Sequence, residues 1–456
     1  MNHLQLFLPC AGGVEELLAH EVHRIVKVPV SVMRGGVMLE GSWRDAMLLN
    51  LHSRLAMRVM IELAHKPYQN ERDLYDAASE VAWELWFTPK NTFKIEMTSQ
   101  HSPLKSLNFA ALTIKDAIAD RFRNKFGVRP DIDTHWPHVR VHAHLTTDAV
   151  TLYIDTSGEP LFKRGWRQDT GEAPLKETLA AAMIAASGWQ PEQPLYDPCC
   201  GSGTIAIEAA QIALNIAPGL QRQFAFERYL PFQQHVWDAI KNEAAHAILP
   251  GPTDVKDIQI FGSDVAHRMV DFAQRNAERA GVAHAVQFRG GDALQRMPPS
   301  TPSATVQPVM LINPPYGERI EVAGIAGRSH GDSNTLARPH GDSNTQGRSH
   351  GGSNNPGEQR GAQPDDFFVQ LATHWKSHFD GWTAWILAPD MKLPGRMRLK
   401  ESRRVPMWNG PIECRMFKFD IQGRRVHPTP FDGTAPATAA AQPAPQQPSG
   451  KAGASA

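Results

Sequence analysis

The chain has 456 residues, enough for two or three domains with real cores plus tails, so a peptide-sized binder is excluded. Lysine plus arginine is 47 and aspartate plus glutamate is 47, so no bulk field announces a polyanionic partner and any nucleic-acid surface must be a local patch. Cys10, Cys199, Cys200 and Cys414 are too scattered for a disulfide framework or a zinc ribbon, and no apolar run reaches about 18 residues; the expectation is a reducing, cytoplasmic setting with no metal and no membrane.

In chain order, LQLFLPC reads as a short strand and VEELLAHEVHRI as a helix with apolar residues three and four apart, giving an α+β unit over residues 1–60. A second α+β unit over 61–160 contains the strand NTFKIEMTSQ and the amphipathic stretch SLNFAALTIKDAIADRFRNKF. It closes on RVHAHLTTDAVTLYIDTSG, whose alternation on either side of TTDA predicts a hairpin. Residues 161–426 form the third unit. From Pro194 onward PLYDPCC, IQIFGSDV, AVQFRGGDAL and VMLINPP alternate with the helical stretches GTIAIEAAQIAL and AHRMVDFAQRNAERAGV, which predicts a doubly wound parallel α/β sheet. Inside that unit a Gly/Ser/Asn/His repeat with a period of ten residues runs from Gly327 to Asn355, within an insertion spanning 327–362. Its composition buries too little apolar surface to offset ordering, so it is expected to be a disordered surface loop, and the in-step His330, His340 and His350 belong to the repeat rather than to a metal site. The Ala/Pro/Gln-rich stretch 427–456 is expected to be a disordered tail.

DPCCGSGTIAIEAA passes from a strand through a glycine turn into a helix, and Gly201 and Gly203 allow the backbone to approach a ligand closely. With Ala206 these glycines also satisfy a dinucleotide fingerprint, so the turn by itself is a weak signal; a phosphate-binding loop is excluded because no Gly-Lys-Ser/Thr follows. The acids at the strand ends favour an S-adenosylmethionine site. Asp197 suits the amino-acid end of that cofactor, Asp264 its ribose hydroxyls and Asp292 its adenine amine, each where ligands bind in open α/β sheets. Asp264 or Asp292 alone would more often be a helix N-cap than a ligand contact, and it is the three in register that carry the reading. Cys199 and Cys200 lack a paired base and read as small buried side chains.

Asn313, Pro314, Pro315 and Tyr316 end the fourth predicted strand. An exocyclic amine of a nucleobase is a poor nucleophile because its lone pair is delocalised into the ring. The Asn313 side-chain oxygen and the Pro314 carbonyl could accept its two N–H bonds and favour the localised, attacking nitrogen, while the prolines fix the backbone beforehand. Tyr316 offers a ring on which a flipped base could stack. The alternative is a strand-ending Pro-Pro turn.

Together DPCCGSGT and NPPYGERI resemble the class I amino-methyltransferases. GWRQDTGEAPLKETLAAAM, NIAPGLQRQFAFERY and WNGPIECRMFKF narrow the likeness to the bacterial 23S ribosomal RNA guanine-N2-methyltransferases with an N-terminal THUMP domain, over roughly residues 1–422. That resemblance implies a ferredoxin-like unit and an RNA-binding THUMP domain ahead of a Rossmann-like methyltransferase domain. It implies that Asn313 to Tyr316 grip the guanine. It also implies that Asp197, Pro198, Cys199, Gly201, Ser202, Gly203, Thr204, Asp264, Val265, Asp292, Ala293 and Asn313 hold S-adenosylmethionine. Some members carry a second methyltransferase domain; one activity is expected here. The repeat after GERI is foreign to the family pattern.

Two basic segments are candidates for ribosomal RNA contact. Met391 to Arg425 has ten basic residues against Glu401, Glu413 and Asp420, a net +7 that includes Arg396, Arg398, Lys400, Arg403 and Arg404. The second is Lys163, Arg164 and Arg167 around Trp166; a solvated face and an interdomain linker are the plainer readings of the two. Other functions that fit are an adenine-N6-methyltransferase on RNA or DNA, a non-catalytic RNA-binding ribosome-assembly factor and, at a distance, a nicotinamide oxidoreductase, to which Asn-Pro-Pro-Tyr gives no role.

Overall fold

Two seven-stranded sheets organise the chain in a computed structural model that describes residues 3–171, 174–303, 305–314 and 364–422, all within one contact unit. The repeat insertion, Pro315, Tyr316 and the tail lie outside the described residues.

The first sheet begins with β1 (Leu4–Pro9), α1 (Glu15–Val26), β2 (Ser31–Met33), β3 (Gly36–Gly41), α2 (Trp43–His52) and β4 (Met60–Pro67). Ser42 starts α2 with a capping box: its hydroxyl accepts the Asp45 N–H at 3.2 Å while its own N–H donates to the Asp45 carboxylate at 2.8 Å. Next come α3 (Glu71–Glu80), β5 (Phe93–Ser99), α4 (Leu107–Phe126), β6 (Val139–Leu145) and β7 (Ala149–Asp155). The expected hairpin is β6–β7, antiparallel, and strict alternation buries Val139, Val141, Ala143 and Leu145 on one face of β6. In space the strands run β2-β3-β1-β4-β7-β6-β5. The two α+β units expected from the sequence therefore share one sheet. β4 joins them because it pairs antiparallel with β1 on one side and β7 on the other, leaving neither unit an open edge at the junction.

The second sheet contains α5 (Glu177–Ser187), β8 (Leu195–Asp197), α6 (Thr204–Ala213), α7 (Gln234–His246), β9 (Ile260–Asp264), α8 (His267–Arg279), β10 (Val286–Gly290), β11 (Val309–Ile312), α9 (Pro364–His378), β12 (Thr383–Ala388), α10 (Leu393–Met397), β13 (Arg403–Asn409) and β14 (Ile412–Asp420). Its order is β10-β9-β8-β11-β12-β14-β13, parallel through β12 and then antiparallel. β11 and β12 are buried along their whole length, as strands covered on both faces must be. From β8 the chain order runs outward to β9 and β10 on one side and to β11 and β12 on the other. The topological switch point is therefore between β8 and β11, and ligands of open α/β sheets bind at the carboxyl ends there.

A buried polar junction ties the two sheets together. Glu208 on α6, fully buried, receives Arg164 at 3.1 Å and Arg54 at 3.3 Å, and the Arg164 guanidinium also donates to the Arg54 carbonyl at 2.7 Å. No helix among the described residues is long and apolar enough to cross a membrane.

Candidate active site

The switch point gathers the strand-end residues that the sequence singled out. Asp197 ends β8, Asp264 ends β9, Asp292 follows β10 by two residues, and Asn313 follows β11 directly. Parallel pairing sets Asp197 beside Gly262 and Gly290 beside Asp264, so the three carboxylates stand along one end of the sheet around the turn that enters α6.

That turn is tightly specified. The Cys199 N–H donates to Asp197 at 3.1 Å, the Cys200 N–H to the Ser263 carbonyl at 2.8 Å and the Gly201 N–H to Asp264 at 2.9 Å. Gly201 and Gly203 both sit at positive φ, 51° and 88°, but for different reasons. A Cβ on Gly203 would lie 2.9 Å from the Ala273 Cβ and 3.0 Å from the Phe288 ring, so this glycine lets α6 pack against α8 and β10. A Cβ on Gly201 would meet nothing within 4 Å. Gly201 therefore faces open space, the cradle expected beneath a ligand.

Burial sets the electrostatics. Asp197 is 2% exposed, and desolvation pushes its carboxyl up to about 8, opposed by the Cys199 amide and reinforced by Asp264. Desolvation also raises Asp264, against the amides of Ala266 and Gly201. Asp292 uses one carboxylate oxygen to accept the Leu294 N–H at 2.9 Å. Desolvation, with these acids nearby, raises the thiols of Cys199, which is half-buried rather than buried as expected, and of the buried Cys200 well above their ordinary value, which favours the protonated form of both. The acceptor set is a string of acidic side chains, suited to a ligand that brings an ammonium, hydroxyls and an aromatic amine. Val265, 42% exposed beside Asp264, and the buried Ala293 add apolar surface for a flat ring. These residues fit S-adenosylmethionine.

The other sequence candidates fall differently. Pro198 is buried behind the turn, and Ser202 and Thr204 are buried with their hydroxyls turned to Arg167, at 3.4 and 2.8 Å. Asn313 is half-buried and Pro314 buried at the end of β11. Arg164, expected at an RNA surface, is corrected: it is 1% exposed and engaged by Glu208 and the Leu161 and Arg54 carbonyls, so it cannot reach a phosphate. Arg167 likewise braces the turn, bonding Glu177 at 2.8 Å as well as Thr204, and Lys163 is exposed in a surface pair with Glu159. Of the second basic segment, Arg398, Lys400 and Arg403 are exposed and make no ion pair among the described residues, whereas Arg404 pairs with Glu401 and Arg396 with Asp390 at 2.7 Å. The sequence reading missed Asn276 on α8. Its fully buried amide donates to the carbonyls of Ser202, at 3.1 Å, and Asp169, at 2.9 Å, across separations of 74 and 107 residues that leave no local signal.

Comparison with known proteins places three domain models on the chain in series: the RlmL ferredoxin-like domain at residues 5–60, the THUMP domain at 68–155 and an RMKL-like methyltransferase domain at 164–328. The chain is 35% identical over 426 residues to a "Ribosomal RNA large subunit methyltransferase K/L" of Psychromonas ingrahamii, covering 92% of this chain and 51% of that protein. A protein of the same name from Shewanella pealeana is 35% identical over 431 residues, covering 93% of this chain and 54% of the relative. The chain thus spans about half the length of the curated relatives it matches. Among solved structures, SMU.472 complexed with SAH aligns with a TM-score of 0.73 at 25% identity, over 93% of this chain and 100% of that one. A predicted N6-adenine-specific DNA methylase from Listeria monocytogenes aligns with a TM-score of 0.72 at 26% identity, over 91% of this chain and 96% of that one.

Proposed function

We propose that this chain, which carries ferredoxin-like, THUMP and RMKL-like methyltransferase domains in series, is an S-adenosylmethionine-dependent enzyme that methylates the exocyclic N2 amine of a guanine in 23S ribosomal RNA in the cytoplasm. The observation that carries the reading is the alignment of Asp197, Asp264 and Asp292 around the Gly201 turn, with Asn313 at the neighbouring strand end of the switch point. Curated relatives named as ribosomal RNA large subunit methyltransferases support the substrate class.

When bound, S-adenosylmethionine would supply a methyl group whose bond to the sulfonium sulfur breaks as an amine takes the carbon, leaving S-adenosylhomocysteine, so no strong base is needed. The chain's own residues orient the partners. Asp197 would take the ammonium, Asp264 the ribose hydroxyls and Asp292 the adenine amine, with Gly201 giving them room. The Asn313 oxygen and the Pro314 carbonyl would accept the two N–H bonds of the guanine amine and localise its lone pair, and the proton released on methyl transfer passes to solvent. Tyr316 is proposed as the stacking surface for the base. Lys163, Arg396, Arg398, Lys400, Arg403 and Arg404 are the proposed phosphate contacts.

The Listeria relative favours one second reading, adenine N6, because the same grip serves either amine. Mass spectrometry of nucleosides from the ribosomal RNA of a strain lacking this chain separates them. Loss of one N2-methylguanosine is the expected result; loss of an N6-methyladenosine instead, or of neither, overturns it.

A further inference from the structure

A cleft of about 920 Å³ opens where the first sheet meets the segment leading into α5 and the turn after α6. Its wall carries seven lysines and arginines against two glutamates. Four of those cations are engaged by the protein: Arg164 and Arg167 by Glu208 and Glu177, Arg140 by the Gly158 carbonyl at 3.0 Å, and Arg222 by the carbonyls of Glu159, Pro160 and Lys163 at 2.6–3.0 Å. The remaining three differ. Arg228 is exposed and makes no ion pair among the described residues, Lys176 lies 5.2 Å over the Phe162 ring, and Lys163 has only its exposed pair with Glu159, of a kind that contributes little and exchanges readily.

The same wall holds Trp136, 72% exposed. This indole is not on a loose tip: the Asp133 carboxylate accepts the His135 N–H at 2.9 Å and the Trp136 N–H at 3.0 Å, closing an Asx turn that fixes the residue beside the cleft. A large aromatic face kept in water by an ordered turn, with cations that no buried carboxylate holds on the same wall, matches the pairing of stacking platform and phosphate-tracking charge that binds single strands. It does not suit an acidic peptide, which has no need of a flat ring. Arg167 also lines the cleft while bonding Thr204, so the cleft backs onto the turn that enters α6.

We propose that this cleft binds a single-stranded RNA segment flanking the target base, with an unpaired base stacked on Trp136 and phosphates against Lys163, Lys176 and Arg228. The inference rests on the RNA-methylation reading above and adds to it where the substrate strand enters.

Fluorescence anisotropy with a short fluorescein-labelled oligoadenylate across a salt series tests it, alongside methyl transfer to ribosomal RNA by the wild type. Trp136→Ala should weaken oligoadenylate binding about tenfold, while Trp136→Phe retains most of it because the ring persists. Arg228→Ala should flatten the logarithmic salt slope by about 0.7, the share of one single-strand phosphate. An RNA duplex, whose bases offer no free face, should bind Trp136→Ala as it binds the wild type. Unchanged S-adenosylhomocysteine affinity in each variant reports an intact fold. If the wild type methylates RNA while Trp136→Ala and Arg228→Ala bind oligoadenylate with wild-type affinity and slope, the cleft assignment falls and the function stands. If the substitutions have the expected effects but no methyl reaches RNA, the function falls and the cleft stands.

Discussion

Asp197 offers the most quantitative test of the cofactor assignment. Its carboxyl is pushed up to about 8 by burial, so at pH 7 the neutral form predominates in the ligand-free protein. An ammonium placed against it would favour the carboxylate and lower its pKa, so binding S-adenosylhomocysteine at pH 7 should release a substantial fraction of one proton. Titration calorimetry in buffers of different ionisation enthalpy measures that number as the slope of apparent binding enthalpy. Asp197→Asn should bring the slope near zero and weaken binding at least tenfold, since a neutral amide replaces a charge-assisted partner. Stability carries the opposite sign from an ordinary aspartate. The folded pKa lies above the unfolded one, so the folded state holds the proton longer. This group's contribution is fully present below about pH 4 and is lost as pH rises through about 8, at up to ~1.4 kcal/mol per pH unit. Asp197→Asn should lack that loss. A wild-type protein that binds S-adenosylhomocysteine without releasing a proton would refute the pairing of Asp197 with the amine.

Three further substitutions probe separate parts of the site. Asp264→Ala removes the acceptor of the Gly201 and Ala266 amides and the proposed ribose contact, and calorimetry should show cofactor binding weaker by about 1–3 kcal/mol with RNA affinity unmoved. Asn313→Ala should fold and keep most of its cofactor and RNA affinity, yet lose about 10²-fold in single-turnover methyl transfer; a wild-type rate would return Asn-Pro-Pro-Tyr to a plain strand-ending turn. Gly203→Ala places a Cβ 2.9 Å from the Ala273 Cβ at positive φ, and chemical denaturation should show about 2–4 kcal/mol lost, whereas a stability equal to wild type would show that α6 and α8 adjust freely.

The sequence made the strand-end positions of the proposed cofactor residues readable because its signals are local. An apolar run ending in an acid, followed by glycines or a helix, puts Asp197, Asp264 and Asp292 at strand ends wherever the sheet forms, and parallel pairing then aligns them. The place of Asn313 directly after β11 was legible for the same reason. Within the basic cluster around Trp166, Arg164 misled because charge in a linker reads as solvent-facing. Arg164 finds Glu208 44 residues away and Arg54 110 residues away, partners that only the tertiary fold supplies. The continuity of the first sheet was hidden likewise, since β4 selects β1 and β7 by long-range pairing rather than by any pattern of its own. Trp136 passed unnoticed because neither its exposure nor its cationic surroundings show in a one-dimensional pattern.

The buried arginines have a consequence for how RNA and cofactor meet. Glu208 lies on α6, the helix that the proposed cofactor turn enters, and it is held both by Arg54, just ahead of the strand that joins the halves of the first sheet, and by Arg164 in the segment lining the proposed RNA cleft. A charge this deeply buried is tolerable only with its partners in place, so sliding the first sheet against α6 would strand a carboxylate out of water. The junction therefore holds the proposed RNA-seating surface and the cofactor turn in fixed register, and Arg167, bonded to Glu177, Ser202 and Thr204, extends that rigidity to the turn itself. Arg164→Met tests this: it leaves Glu208 with Arg54 alone and should cost about 3 kcal/mol of stability. Because Arg164 cannot touch phosphate, the folded variant should bind oligoadenylate with the same salt slope as the wild type. Any defect should appear as slower methyl transfer at saturating RNA and cofactor, the signature of two sites that each bind but no longer face one another correctly. A shallower salt slope would instead put Arg164 back among the phosphate contacts and contradict its burial.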